Sequence, residues 1–272
     1  MYSLDLSHKN AIVTGGASGL CKCTAIYLAR AGANVVVADY NLEGAEKTVG
    51  EIKELGCKAF AYKIDVGDPK QLEALAAETI KQFGGIDFLI NGAGIGGIEP
   101  TVEMSSERFS RIIDINLKGE IWGIKAVLPH MIEKQYGRIV NFSSVAARQC
   151  GPGGAAYAAS KAGVNAMTAV IAREVAEHGI NINAVMPGVI RTGMWDETLK
   201  EWNPKDCAKR EEDFNKIVES MIPSKRPQTP EDVAYCSYAA IMQKKSRLKL
   251  SQLTAARRTE PRRRKREKIF HG

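Results

Sequence analysis

The chain has 272 residues, 44% apolar and 25% charged, with a formal net charge of +7. That length suits one large domain, and the apolar share is enough to bury a substantial core. No apolar run approaches the roughly 18 residues that a membrane span needs, and the stretch from Met1 to Lys9 is too polar for a secretory leader, so a cytoplasmic protein is expected.

The first element is the apolar run Ala11–Thr14, which reads as a strand. A glycine turn follows, Thr14-Gly15-Gly16-Ala17-Ser18-Gly19-Leu20, then a helical pattern with Ala25, Ile26, Leu28 and Ala29 that ends at Gly32. Asn34–Asp39 reads as a second strand. Such a strand–turn–helix–strand unit can hold a dinucleotide. The glycines let the backbone approach a pyrophosphate, and the helix start offers free N–H groups and a positive dipole end. Thr14, Gly15, Ser18, Gly19 and Leu20 form this expected cradle. Asp39 lies twenty positions after Gly19, where a carboxylate can bind the ribose hydroxyls and would repel a 2′-phosphate. The expected cofactor is therefore NAD.

Four more strand-like runs follow: Ala59–Asp65, Phe88–Asn91, Arg138–Ser143 and Asn181–Met186. They alternate with helical segments. The pattern predicts an α/β fold, a Rossmann-like doubly wound parallel sheet in a single domain. Ligands in such sheets sit at the carboxyl ends of the strands. Asp39, Asp65, Asn91, Ser144 and Pro187 all lie at or just after such ends.

Tyr157 and Lys161 are four residues apart, with Ser144 thirteen residues before Tyr157. On a helix, positions i and i+4 share a face, so the phenol and the ammonium can enter one cleft. A phenol is a poor base at neutral pH, and a neighbouring cation favours its ionised form. A serine hydroxyl beside it can bind an alcohol or carbonyl oxygen. The three together can move a proton to or from a substrate oxygen while a hydride moves elsewhere.

The series Thr14-Gly15-x-x-x-Gly19, Asp65-Val66, Asn91-Gly92-Ala93-Gly94, Asn116, Ser144, Tyr157/Lys161 and Pro187-Gly188 with Thr192 resembles the short-chain dehydrogenase/reductase family in order and spacing. The resemblance covers residues 1 to about 240. It implies that Tyr157 is the general acid/base, that Lys161 also holds the nicotinamide ribose, and that Ser144 binds the substrate oxygen. Asn116 would hold a water linking Lys161 to solvent. Asp65 would bond the adenine amino group, with Val66 flanking the ring. Asn91, Gly92, Ala93 and Gly94 would lie beside the cofactor. Pro187, Gly188, Val189, Ile190 and Thr192 would line the nicotinamide and its carboxamide. The implied activity is hydride transfer between NAD(H) and a secondary alcohol or ketone, of the small diol, polyol or 3-oxoacyl type. The implied assembly is a homo-oligomer, a dimer or tetramer.

Residues 193–230 are polar, with Trp195, Trp202, Phe214, Ile217, Val218 and Met221 at helical spacing. By the same resemblance they form a substrate-covering lid of two short helices. The six cysteines are scattered and are expected as free thiols, and the four histidines show no ligand spacing and are expected to be solvated. No metal site is expected.

Two features depart from the family pattern. Cys21 stands where a third glycine is due, so crowding of the helix–strand contact or of the pyrophosphate is expected, with a redox-sensitive thiol as the alternative. The second departure is the C-terminus. Of the 38 Lys/Arg and 31 Asp/Glu, residues 244–272 hold 12 and 2, which leaves 26 and 29 in residues 1–243. The basic character belongs to this tail alone. No Asp-Gly-Gly turn and no final strand are legible there. A polyanion-binding tail, a nuclear-import signal and an aberrant C-terminus all fit, and the abrupt change in composition favours the last. The expected organisation is a catalytic domain over 1–243, a disordered basic tail over 244–272, and a sheet whose final strand is missing or replaced. The competing functional reading is an inactive dehydrogenase relic whose tail binds nucleic acid.

Overall fold

Six short apolar runs form one parallel sheet: β1 (Asn10–Thr14), β2 (Asn34–Asp39), β3 (Ala59–Lys63), β4 (Phe88–Asn91), β5 (Gly137–Phe142) and β6 (Ile180–Val185). Their order is β3-β2-β1-β4-β5-β6. The computed structural model describes residues 5–222 and 224–243, with Glu201 described by its backbone only. The basic tail, and any final strand it would replace, fall in 244–272, outside the described residues.

Nine α-helices among the described residues connect and cover the strands: α1 (Gly19–Arg30), α2 (Leu42–Glu54), α3 (Pro69–Phe83), α4 (Ser106–Ile113), α5 (Gly119–Glu133), α6 (Ala155–Glu174), α7 (Gly193–Trp202), α8 (Cys207–Met221) and α9 (Pro230–Ile241). β1 and β4 are buried at every position, as expected for central strands covered on both faces. Successive side chains alternate between two cores. Val13, Val35, Val37, Ile90 and Val140 face Ala25 and Leu28 of α1 and Val233 and Ile241 of α9. Ile12, Val36, Leu89 and Ile139 face Leu72 and Leu75 of α3 and Ile124, Val127 and Met131 of α5.

The helix boundaries follow local chemistry. Asp68 caps α3 with its carboxylate on the Lys70 amide, Pro69 opens the helix, and Gly84 closes it in the left-handed region. Thr229 and Asp232 form a reciprocal capping box at the start of α9. The two helices expected over 193–230 are α7 and α8. The strands expected to reach Asp65, Ser143 and Met186 stop two, one and one residues earlier, at Lys63, Phe142 and Val185. The chain leaves the ladder there to form the loops on the ligand side.

Asp87 ties three elements together just before β4. Its buried carboxylate accepts from the Asn10 amide at 2.9 Å, from Lys134 at 2.8 Å and from Lys9 at 3.1 Å. Nearby, the half-buried His130 ring accepts from the Ile86 amide at 3.1 Å. The expectation of solvated histidines fails at this one, because the strand start leaves an amide that needs an acceptor.

Cys21 sits in the first turn of α1 and is buried among core side chains. A Cβ built on Gly92 would lie 2.0 Å from its sulfur. The thiol therefore fills space that Gly92 leaves empty. It points into the helix–sheet contact, the first of the two places where it was expected to press. The redox-sensitive alternative fails, because burial pushes the thiol up to about 12.

Two predictions follow from this packing. Gly92→Ala should cost about 1–3 kcal/mol by overpacking, and Cys21→Gly in the same protein should recover part of that loss. Urea unfolding of the two single variants and the double variant checks this, and strictly additive losses would contradict the shared contact. Asp87 is the second case. Burial alone would raise its carboxyl, but the bonds from Lys134 and the Asn10 amide outweigh it and hold the group below its usual value. Its stabilising effect is thus present above pH 4 and is lost as pH falls further. Asp87→Asn should cost about 1–3 kcal/mol at pH 7 and much less at pH 3, as read from unfolding midpoints at each pH. An equal cost at both would contradict the ion-pair account.

Candidate active site

The strand order reverses between β1 and β4, and the loops after these two strands part to leave a crevice. Close backbone contact holds its floor. Gly15 has a positive φ of 73°, and a Cβ there would lie 2.8 Å from the Ala93 amide. Only glycine fits. The Thr14 hydroxyl accepts from the Gly92 amide at 3.1 Å and the Ala93 amide at 3.3 Å. Thr14 is buried, so it fastens β1 to β4 and does not line the open crevice.

The start of α1 is free for a ligand. Ser18 is exposed at the N-cap position and makes no side-chain cap bond, and the first turn holds no acidic residue. A Cβ on Gly19 would touch the Thr192 side chain at 3.8 Å, so the two lie side by side. Asp39 accepts from the Ala17 amide at 2.9 Å and from the Asn41 amide at 2.9 Å. It thereby braces the turn and leaves a half-buried carboxylate at the end of β2. Glycine-limited backbone, uncapped amides and a terminal carboxylate fit a dinucleotide.

Other expected cofactor positions are engaged within the protein. Asp65 accepts from the Gly67 amide at 2.9 Å and pairs with Arg111 at 2.9 Å. Val66 is buried, and a Cβ on Gly119 would meet it at 2.8 Å. Asn91 is buried and donates to Asn141 at 3.0 Å and to the Glu120 carbonyl at 3.1 Å, which joins β4, β5 and α5. Val189 packs with the lid residues Leu199, Phe214 and Val218, whereas Ile190 packs in the main core. The Pro187 carbonyl accepts from the Val145 amide at 3.0 Å. The Gly188 amide donates to the Gln228 side chain at 2.8 Å.

Tyr157 lies half-buried in the first turn of α6, and Lys161 follows one turn later, buried. The Lys161 ammonium donates to the Glu120 carboxylate at 3.0 Å and to the Phe142 carbonyl at the end of β5. A Cβ on Gly94 would lie 3.9 Å from it. Ser144, two residues beyond β5, accepts from the Ala146 amide at 3.1 Å and keeps its hydroxyl proton free to donate elsewhere. The Ser143 hydroxyl donates to the Lys161 carbonyl at 2.9 Å, pinning α6 to β5.

Asn116 lies in a five-residue π-helical segment, Asp114–Lys118, between α4 and α5. Its carboxamide makes a two-bond clamp on Ile95, accepting from the amide at 2.8 Å and donating to the carbonyl at 2.9 Å. It also reaches the Ser160 hydroxyl at 3.4 Å. Its side chain thus fixes the Gly94–Ile95 loop over Lys161.

Helices α7 and α8 form a small core of their own. Trp195 and Phe214 meet edge to face at 6.0 Å, and Arg191 lies over Phe214 at 4.7 Å. Met194 approaches Gly96, whose Cβ position is 3.1 Å from it.

Three residues of the site escaped the motif reading: Glu120, Arg111 and Gln228. Glu120 carried a signal, since it lies four residues after Asn116 and so on the same helical face. Gln228 and Arg111 carried none, because their partners come from distant parts of the chain.

The short chain dehydrogenase family model matches residues 9–203. A diacetyl reductase of the (S)-acetoin-forming type from Staphylococcus epidermidis is 37% identical over 227 residues, covering 83% of this chain and 88% of that protein. A 3-oxoacyl-acyl-carrier-protein reductase from Staphylococcus aureus is 40% identical over 198 residues, covering 71% and 80%. Among solved structures, levodione reductase superposes with a TM-score of 0.81 at 33% identity, over 86% of this chain and 91% of that one. NAD+-bound xylitol dehydrogenase does so with a TM-score of 0.82 at 29% identity, over 88% and 94%. With these likenesses and the Tyr157–Lys161 pair set beside the glycine turn, the chain belongs to the short-chain dehydrogenase family of oxidoreductases.

Proposed function

We propose that the protein interconverts a secondary alcohol and a ketone with NAD(H), on a small acyloin, diol, polyol or 3-oxoacyl substrate. The observation that carries this reading is Lys161, buried on α6 one turn after Tyr157 and bonded to the Phe142 carbonyl at the end of β5, two residues before Ser144. The diacetyl reductase and 3-oxoacyl reductase relatives support the carbonyl chemistry, and the NAD+-bound neighbour supports the cofactor.

When bound, the dinucleotide supplies the hydride donor or acceptor. The amides at the start of α1 and the glycines Gly15 and Gly19 cradle its pyrophosphate. Asp39 takes the adenosine ribose hydroxyls. Thr192 and the Pro187–Ile190 segment border the nicotinamide. Ser144 donates to the substrate oxygen and orients the reacting carbon. The ionised Tyr157 oxygen takes the alcohol proton in oxidation, and the neutral phenol returns it in reduction. Lys161 holds the nicotinamide ribose and favours the ionised phenol. Asn116 keeps the Gly94–Ile95 loop and Lys161 in register. The lid, α7 and α8, closes the substrate side and limits water. In this reading the catalytic unit is residues 1–243, and the basic segment 244–272 takes no part in the chemistry.

Tyr157→Phe should lower turnover by at least about a hundredfold while NADH still binds. Assaying a panel of ketones and alcohols with the purified variant checks this, and near-normal turnover would remove Tyr157 from its role. The cofactor choice has its own test. Asp39 places negative charge where a 2′-phosphate would sit, so kcat/KM with NAD(H) should exceed that with NADP(H) by about tenfold or more. An equal or higher value with NADP(H) would contradict the assignment of Asp39.

A further inference from the structure

Glu120 is a buried acid that the proposed chemistry leaves unused. It lies on α5, one turn beyond Asn116, and is only 2% exposed. One carboxylate oxygen accepts from the Lys161 ammonium at 3.0 Å. The other is buried without a hydrogen-bond partner among the described residues. An ion pair so placed is held at a desolvation cost. Residues that serve only packing do not need one.

The Lys161 ammonium has three protons to donate. Phe142 and Glu120 take two of them. The third is left for the ribose contact proposed above, so the ribose and an anion already in contact pull on one ammonium. We propose that Glu120 is a positioning residue that competes with the dinucleotide ribose for Lys161, so that its charge sets how tightly the cofactor is held. This inference rests on the reading that the crevice holds a nicotinamide dinucleotide.

The electrostatics give the sign. Burial raises the Glu120 carboxyl to about 7, against the opposing pull of Lys161. Desolvation pulls the Lys161 ammonium down, but Glu120, Tyr157 and Cys21 together hold it above its usual value, so it stays charged. The other groups acting on this pair are Tyr157 from α6 and the Cys21 thiol from α1, which is neutral at physiological pH. Around neutral pH, then, Glu120 changes charge. As it ionises it draws the ammonium away from the ribose. It also adds a negative charge near an anionic ligand. Both effects weaken cofactor binding as pH rises.

The test is an NADH fluorescence titration between pH 6 and pH 9. In the wild-type protein the Kd should rise by about fivefold or more across this range, a typical coupling between two sites. In Glu120→Gln the Kd should stay at the tight, low-pH value throughout. Glu120→Asp keeps the charge and should keep the pH dependence. If Glu120→Gln does not fold, Glu120→Val carries the same expectation of a flat profile. A flat wild-type profile would overturn the proposal without any variant, and so would a neutral variant with the wild-type slope. Failure of the underlying reading looks different, since NADH would then not bind at any pH. Absence of alcohol or ketone turnover would count against the proposed reaction and leave this binding test intact.

Discussion

The structure depends on close approach of two loops, the one after β1 and the one after β4. A parallel sheet whose order reverses must part its loops at that point. The floor of the opening is then bare backbone. Gly15 against Ala93, and Gly92 against Cys21, bring the two chains closer than any side chain would permit. Thr14 locks them by accepting from both loop amides. Nearly everything else in the crevice takes its position from this contact. The start of α1 is aimed by it, and the loop that carries Gly94 is carried to Lys161.

A second constraint is the placement of charge in a buried region. Lys161 is 4% exposed. A lone ammonium in that environment would lose its proton or its place. Phe142, Glu120 and the nearby loop keep it charged and aimed. Asn116 serves the same end through Ile95, and the π-helical segment that holds Asn116 marks where the helix departs from regular winding to do so. The buried groups here are thus held in pairs, Lys161 by Glu120 and the Gly94–Ile95 loop by Asn116.

Much of this was legible in the sequence, for physical reasons. The strands were readable because central parallel strands are continuous apolar runs, and the helix ends because glycine, proline and capping residues mark them. The places of Asp39 at the end of β2, Ser144 just after β5, and Tyr157 and Lys161 one turn apart on α6 were readable from the apolar pattern and the residue spacing. The roles of Thr14, Asn91 and Val66 were less so. Each sits in a motif read as cofactor-binding, yet its side chain is spent on joining strands and helices. That distinction is set by burial, which a motif does not encode. How Cys21 is accommodated was unreadable for the same reason. Its fit depends on Gly92, seventy-one residues away in the chain. His130 and Gln228 likewise answer to backbone amides brought to them only by the fold.

The central claim is that the crevice between the β1 and β4 loops holds a nicotinamide dinucleotide against Lys161. A crystal structure grown with NAD+ tests it most directly. The account predicts the adenosine ribose on Asp39, the pyrophosphate on the amides at the start of α1, and the nicotinamide ribose within hydrogen-bond distance of the Lys161 ammonium. A dinucleotide bound elsewhere on the protein, or one whose ribose leaves Lys161 untouched, would contradict it.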